Sequence, residues 1–131
     1  MKFVFTLHSS CGRRQSCPFA FFAVKAGNFI FCSGQIAINP ETNKVDCLGN
    51  IEEETKQVLK NLKAVLNAGG AKIDDVIKTT IFLTDLKNFQ IVNKVYSNFF
   101  EGEDSPARAC VEVSSLPKGV MIEIDCVAFV D

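Results

Sequence analysis

Polar and apolar positions alternate along the end of the chain, from residue 105 to residue 131. Glu123 and Asp125 fall on one face of a strand, because successive side chains of a strand point to opposite faces. The opposite face carries Ile122, Ile124, Cys126 and Ala128. The preceding run, 107–114, has the same period of two and places Arg108, Cys110, Glu112 and Ser114 on one face. The pattern predicts two strands that carry an arginine and a carboxylate on their polar faces.

A Leu-Pro-Lys-Gly sequence, residues 116–119, lies between these two runs. Pro117 presets the φ angle of a turn, and Gly119 is able to take the positive φ that ends one. The sequence therefore predicts a turn between the two strands.

Two helices are predicted from apolar residues that recur with the helical period of 3.6. The first begins after Asn50, whose side chain is placed to cap the first turn with Glu53 three residues on, and it ends at Gly69-Gly70. Its apolar stripe is Val58, Leu62, Val65 and Leu66. The second is opened by residues 85–88 and ended by Gly102, and its buried side is predicted to carry Phe89, Val92, Tyr96, Phe99 and Phe100.

Four further runs indicate strands. Residues 2–7 suit a short edge strand, 29–33 a strand interrupted by Gly34-Gln35, and 45–48 a strand returning from a hairpin loop at 40–44. Residues 76–84 are rich in β-branched side chains, which favour strands.

The resulting order, strands, helix, strand, helix and two strands, predicts an α+β fold with a single mixed sheet of about six strands and two helices on one face. Two helices cover only one face of such a sheet. The other face would carry Val127 and Phe129. Because an uncovered, partly apolar face must meet something, the sequence predicts an oligomer.

Composition limits the classes of function. The 131 residues suffice for one domain, and 47% of them are hydrophobic. The formal net charge of -1 argues against a protein that binds nucleic acid through a basic face. No apolar run approaches the length of a membrane span, and the apolar start, broken by His8, is too short for a secretory signal. We therefore expect a cytoplasmic protein with reduced thiols, although Cys11 and Cys17 near the chain end could oxidise.

Several kinds of site are excluded by residue type. The single histidine, His8, has no neighbours that support a nucleophilic triad. Neither a Cys/His zinc cluster nor a phosphate-binding glycine loop is present in the sequence. Taken alone, Arg108 is either a solvated or ion-paired strand residue, for example with Glu112, or an anion-binding group. Cys110 has no His or Lys placed to lower its pKa, so a packed thiol is favoured over a nucleophile.

The segment 106–124 reads P-A-R-x-x-V-x-V-x-x-L-P-x-G-x-x-x-E-I, which resembles the signature of the Rid family (YjgF/YER057c/UK114). Three further blocks, 23–35, 49–71 and 76–89, resemble the same family in the same order. The resemblance covers residues 18 to 130 and divides the chain into a variable N-terminal segment, 1–17, and one domain, 18–131.

This resemblance implies a chorismate-mutase-like fold and a homotrimer with clefts between its subunits. It implies a hydrolase that deaminates 2-iminobutanoate, 2-iminopropanoate and similar enamine/imine intermediates, with no metal or organic cofactor. Arg108 would hold the substrate carboxylate, and Glu123 together with the main-chain carbonyl of Cys110 would place the attacking water. Ser33 and Gly34 would lie near the same cleft.

One position departs from the family. The family tyrosine that often faces the substrate falls at Phe19 or Ala20 here, and neither has a hydroxyl. Two alternatives stay open, and the missing hydroxyl favours the second of them. One is an endoribonuclease or translation inhibitor, a label often attached to the family, and the other is a non-catalytic trimer that binds small carboxylates at Arg108.

Overall fold

The computed structural model describes residues 22–131 and the backbone of a strand at 2–5. The strands are β1 (Lys2–Phe5), β2 (Ala23–Ala26), β3 (Phe29–Gln35), β4 (Val76–Leu83), β5 (Ala107–Glu112) and β6 (Ile122–Phe129). The helices are α1 (Ile51–Ala68) and α2 (Phe89–Phe99). The predictions for residues 6–21, including those for Phe19, Ala20, His8, Cys11 and Cys17, lie outside the described residues.

All six strands form one sheet in the order β1-β2-β3-β6-β4-β5. Strand β5 runs parallel to β4, and the other neighbours are antiparallel. The predicted single mixed sheet with two helices is confirmed. The turn between β5 and β6 does not make them neighbours, however, because β4 lies between them.

The helices pack on one face of the sheet, and the core lies between the two layers. The predicted stripe of α1, Val58, Leu62, Val65 and Leu66, is fully buried there. The four alternate residues predicted for β6, Ile122, Ile124, Cys126 and Ala128, are buried against it. The helical period of 3.6 in α1 and the strand period of 2 in β6 therefore identified the buried faces of these elements correctly.

The start of α1 is held by two different side chains. Asn50 caps the helix by accepting a hydrogen bond from the Glu53 amide at 3.2 Å, as predicted. Glu54, in the first turn of the same helix, is fully buried. Its carboxylate accepts hydrogen bonds from the amides of Gly49 at 3.1 Å and Met121 at 2.9 Å, so it joins the helix to the start of β6.

Of two local predictions, the strand at 45–48 and the turn at 116–119, only the turn is confirmed. The strand predicted at 45–48 is wrong, since the loop closes through a single bridge between Asn39 and Lys44. The turn at 116–119 is present as a short 3₁₀ turn, Pro117–Gly119. Gly119 has a φ of 70°, and Lys118 also lies in the left-handed region at 58°.

The face of the sheet opposite the helices carries an apolar patch that no other element of the described residues covers. Phe31 pairs with Val127, and Phe29 pairs with Phe129. The three phenylalanines are 41% (Phe29), 48% (Phe31) and 38% (Phe129) exposed. The rings of Phe29 and Phe129 meet edge to face at 5.1 Å. We call this surface, Phe29, Phe31, Val127 and Phe129, the open aromatic face.

Candidate functional site

Arg108 presents an anchored guanidinium near the edge of the sheet. It lies on β5 opposite Thr79 of β4, and its side chain is exposed. Its Nη1 donates a hydrogen bond to Oδ1 of Asn93 on α2 at 2.6 Å. The guanidinium carbon lies 4.9 Å from the Tyr96 ring centroid and 5.5 Å from that of Phe89, within range of cation–π attraction.

The platform beneath Arg108 is built from the buried side of α2. Tyr96 is buried, and its hydroxyl lies 2.7 Å from Oγ1 of the buried Thr79. Burial raises the pKa of Tyr96, so its hydroxyl stays neutral. A guanidinium carries five N–H donors. Within the described residues, Arg108 makes one hydrogen bond, which it donates to Asn93. No other acceptor among the described residues occupies its remaining donors, which suit a carboxylate.

Cys110 lies two residues after Arg108 on the same face of β5, opposite Ile81. It is half-buried, and burial raises the pKa of its thiol while the Arg108 charge acts in the opposite sense. A neutral thiol is a poor nucleophile, so a role for this side chain in attack is disfavoured. Strand β5 is the last strand in the sheet order, so its outer backbone groups have no strand partner within the described chain.

Glu123, Gly34 and Ser33 form a second group on β6 and β3. The pairing of β3 with β6 shifts register between Cys32 and Gln35, where a β-bulge places Ser33 and Gly34. Ser33 Oγ donates to the carbonyl of Phe22 at 3.1 Å. A Cβ on Gly34 would lie 2.7 Å from Cδ of Glu123, so any larger residue there would push this carboxylate aside.

The Glu123 carboxyl is half-buried, which raises its pKa, and the negative charge of Asp125 raises it further. Glu123 pairs with Phe82 of β4, on the open side of the sheet. A carboxylate with a raised pKa is a better proton acceptor than a solvated one, so it is suited to orienting a water molecule.

The structure does not bring all the predicted site residues together in one chain. Arg108 and Cys110 lie on the helix side of β5, whereas Glu123 with Ser33 and Gly34 lies around β6 and β3. We call these the arginine half-site and the glutamate half-site. Each is compact, but they are separated by strand β4.

Sequence reasoning missed Asn93 and assigned Phe89 and Tyr96 only to the core. The three residues stand at i, i+4 and i+7 of α2, which places them on one helix face. An asparagine within an otherwise apolar stripe was the available signal, because such a polar group needs a partner.

Residues 2–5 and 22–131 show neither a metal-binding cluster nor a membrane-spanning helix. No group of three or more His, Cys, Asp or Glu side chains in this part of the chain is placed to hold a metal ion. None of the helices described is long and apolar enough to cross a membrane.

The sequence has clear relatives. Residues 15–130 match the family model described as endoribonuclease L-PSP. A RutC family protein of Pyrococcus abyssi is 51% identical over 107 residues, covering 82% of this chain and 83% of the relative. A 2-iminobutanoate/2-iminopropanoate deaminase of Escherichia coli K12 is 45% identical over 107 residues, covering 80% and 82% of the two chains.

Solved structures show the same fold. A Rid family protein, YyfA of Yersinia pestis, superposes with a TM-score of 0.89 at 40% identity and covers 99% of this chain and 100% of its own. The E. coli protein TdcF with bound serine superposes with a TM-score of 0.81 at 35% identity, covering 88% and 91%.

Proposed function

Because the chain belongs to the endoribonuclease L-PSP family, which is the Rid (YjgF) family, we propose that it hydrolyses 2-iminopropanoate, 2-iminobutanoate and the enamines in equilibrium with them. The products are a 2-keto acid and ammonia. The observation that carries the proposal is the anchored, exposed guanidinium of Arg108, in a chain 45% identical to a deaminase of this class.

In the proposed reaction, Arg108 grips the substrate carboxylate with two parallel hydrogen bonds. Water adds to the imine carbon, and its proton passes by way of Glu123 to the imine nitrogen. The hydroxyl proton of the resulting carbinolamine then passes to its nitrogen, again by way of Glu123. The C–N bond breaks, ammonia leaves and the carbonyl forms. The Cys110 main-chain carbonyl helps to orient the water. Since imines hydrolyse unaided, orientation alone supplies useful acceleration.

We also propose that the active unit is a homotrimer whose clefts join the arginine half-site of one subunit to the glutamate half-site of its neighbour. Two observations support this arrangement. The open aromatic face needs a cover, and the two half-sites do not meet within a chain. A cytoplasmic location suits the cysteines among the described residues, which are free thiols: Cys32, Cys47, Cys110 and Cys126.

A coupled assay tests the reaction. A serine dehydratase releases 2-aminoacrylate, and pyruvate formation is followed with and without this protein. Wild type should accelerate pyruvate release, Arg108→Ala should not, and Lys72→Ala, a change at an exposed cation elsewhere, should behave as wild type. No acceleration by wild type would refute the deaminase.

The non-catalytic alternative is favoured by one observation, the absence of the family tyrosine at Phe19 or Ala20. Calorimetry with pyruvate separates the two functions. Pyruvate binding that is lost in Arg108→Ala, in a protein that does not accelerate pyruvate release, would identify a carboxylate-binding trimer.

A further inference from the structure

A groove of about 730 Å³ lies between α1 and α2. It is lined by Glu52, Lys56, Leu59, Lys60 and Lys63 of α1 and by Ile91, Lys94, Val95, Asn98 and Phe99 of α2. None of these residues belongs to the arginine half-site or the glutamate half-site. The groove is therefore a separate surface, which the proposed deaminase reaction does not use.

The groove carries a surplus of positive charge. Its lining has four lysines and one glutamate, a surplus of three, in a chain whose formal net charge is -1. Lys56 is paired with Glu52 at 2.9 Å and with Glu53 at 3.0 Å. Lys60, Lys63 and Lys94 form no ion pair with any residue in the described part of the chain. Three unpaired cations along one groove favour an anionic occupant.

The same groove has an apolar floor. Ile91, Val95 and Phe99 stand at i, i+4 and i+8 of α2, so they form one ridge along the helix. Ile91 is 44% exposed, and Val95 and Phe99 are half-buried. An exposed isoleucine at the head of such a ridge offers apolar contact to whatever enters the groove.

We infer that this groove binds an acidic, amphipathic helical segment of a partner protein. Apolar side chains of the segment would pack on the Ile91 ridge, and its carboxylates would meet Lys60, Lys63 and Lys94. Lys56 to Lys63 and Ile91 to Asn98 each span two helical turns, about 10 Å at 1.5 Å per residue, so the contact suits a helix of two to three turns.

A nucleic acid fits the floor less well. Single-stranded nucleic acids are bound by aromatic rings on which bases stack. The one aromatic ring of the groove, that of Phe99, is half-buried and packs edge-on against Phe100 at 5.2 Å. The ridge is otherwise aliphatic, which favours a protein segment.

Fluorescence anisotropy with two labelled helical peptides tests the inference. Both carry leucine at i, i+4 and i+8; one has glutamates on its flanks and the other has lysines. We expect the glutamate peptide to bind wild type and the lysine peptide not to bind. The triple variant K60Q/K63Q/K94Q should weaken binding about tenfold or more, as expected for the loss of three exposed charge pairs. Glutamine is nearly as good a helix former as lysine, so α1 and α2 should stay folded.

A matched triple variant on other surfaces, K44Q/K72Q/K87Q, should bind the glutamate peptide as wild type does. Ile91→Ser should weaken binding of this peptide at high salt as well as at low salt. Circular dichroism and pyruvate formation check that each variant remains intact. The inference is overturned if the glutamate peptide fails to bind, if both peptides bind equally, or if the control triple variant loses as much. Tighter binding of an oligouridylate than of the peptide, through the same three lysines, would instead assign the groove to RNA.

Discussion

Arg108 and Glu123 point to opposite faces of the same sheet. Arg108 pairs with Thr79 and lies over Tyr96 on the helix side, whereas Glu123 pairs with Phe82 on the open side. Their strands, β5 and β6, lie on either side of β4, a separation of roughly 9–10 Å at the usual strand spacing. One small substrate therefore cannot contact both side chains of the same chain.

This geometry predicts complementation between two inactive variants. Arg108→Ala and Glu123→Gln should each lose most deaminase activity. After the two are denatured together and refolded, about one quarter of wild-type activity should return, because in a ring with head-to-tail contacts a quarter of the interfaces pair two intact halves. Pyruvate formation is the measurement.

Each variant refolded separately provides the control, and it should stay inactive. If the mixture is as inactive as its components, although mass spectrometry shows mixed oligomers, the two residues do not belong to one intersubunit site.

Asn93→Asp should raise KM strongly with little change in kcat. The new carboxylate would lie within salt-bridge distance of the Arg108 guanidinium, where Oδ1 now accepts at 2.6 Å, and would compete with the substrate carboxylate for the same donors. Asn98→Asp is the matched control on the same helix and should leave KM unchanged. An unaltered KM in Asn93→Asp would contradict the carboxylate role of Arg108.

Gly34→Ala should lower kcat by an order of magnitude or more, because the added methyl group would overlap the Glu123 side chain and displace the carboxylate. Gly102→Ala is a suitable control, since the nearest atom to its Cβ lies at 4.0 Å. Steady-state kinetics of both variants give the result. Full activity in Gly34→Ala would show that the position of Glu123 is unimportant.

Glu54→Ala should destabilise the fold by about 1–3 kcal/mol, because two partly buried backbone amides would lose their acceptor. These are the amides of Gly49 and Met121. Urea unfolding measures the change in the free energy of unfolding. Glu52→Ala, at an exposed position of the same helical turn, should change it little.

The pH profile should report the environment of Glu123. Protonation removes the acceptor that orients water, so kcat/KM should fall as pH falls through the Glu123 pKa. Burial raises that pKa most, and Asp125 raises it further. Asp125→Asn should therefore move the acidic limb of the profile to lower pH, whereas Asp74→Asn should leave it in place. A limb that does not move would point to another titrating group.

The sequence predicted those structural features that depend on residues close together along the chain. The Asn50 cap, the buried stripe through Val58 and Leu62, and the apolar face of β6 were all identified in this way. The relation between Arg108 and Glu123 was not predictable, because alternation assigns a residue to a face of its own strand. It does not show which face of the shared sheet that is, or that β4 lies between the two strands.

Long-range contacts limited two other predictions. Glu54 is one of three consecutive glutamates, and nothing local marks it as the one that binds the Met121 amide 67 positions away. The sequence alone suggests a surface carboxylate such as Glu112 as an ion-pair partner of Arg108, yet the structure supplies Asn93 from α2. Partners across elements follow from tertiary packing, which a single sequence does not reveal.

The open aromatic face has a consequence for how the protein is made. A newly synthesised chain would complete its hydrogen-bonded sheet while Phe29, Phe31 and Phe129 still face water. In the proposed trimer, binding of a neighbouring subunit would compete with aggregation through these rings, and its rate would depend on the concentration of newly made chains. Chaperones that bind exposed phenylalanines would then raise the yield of assembled protein.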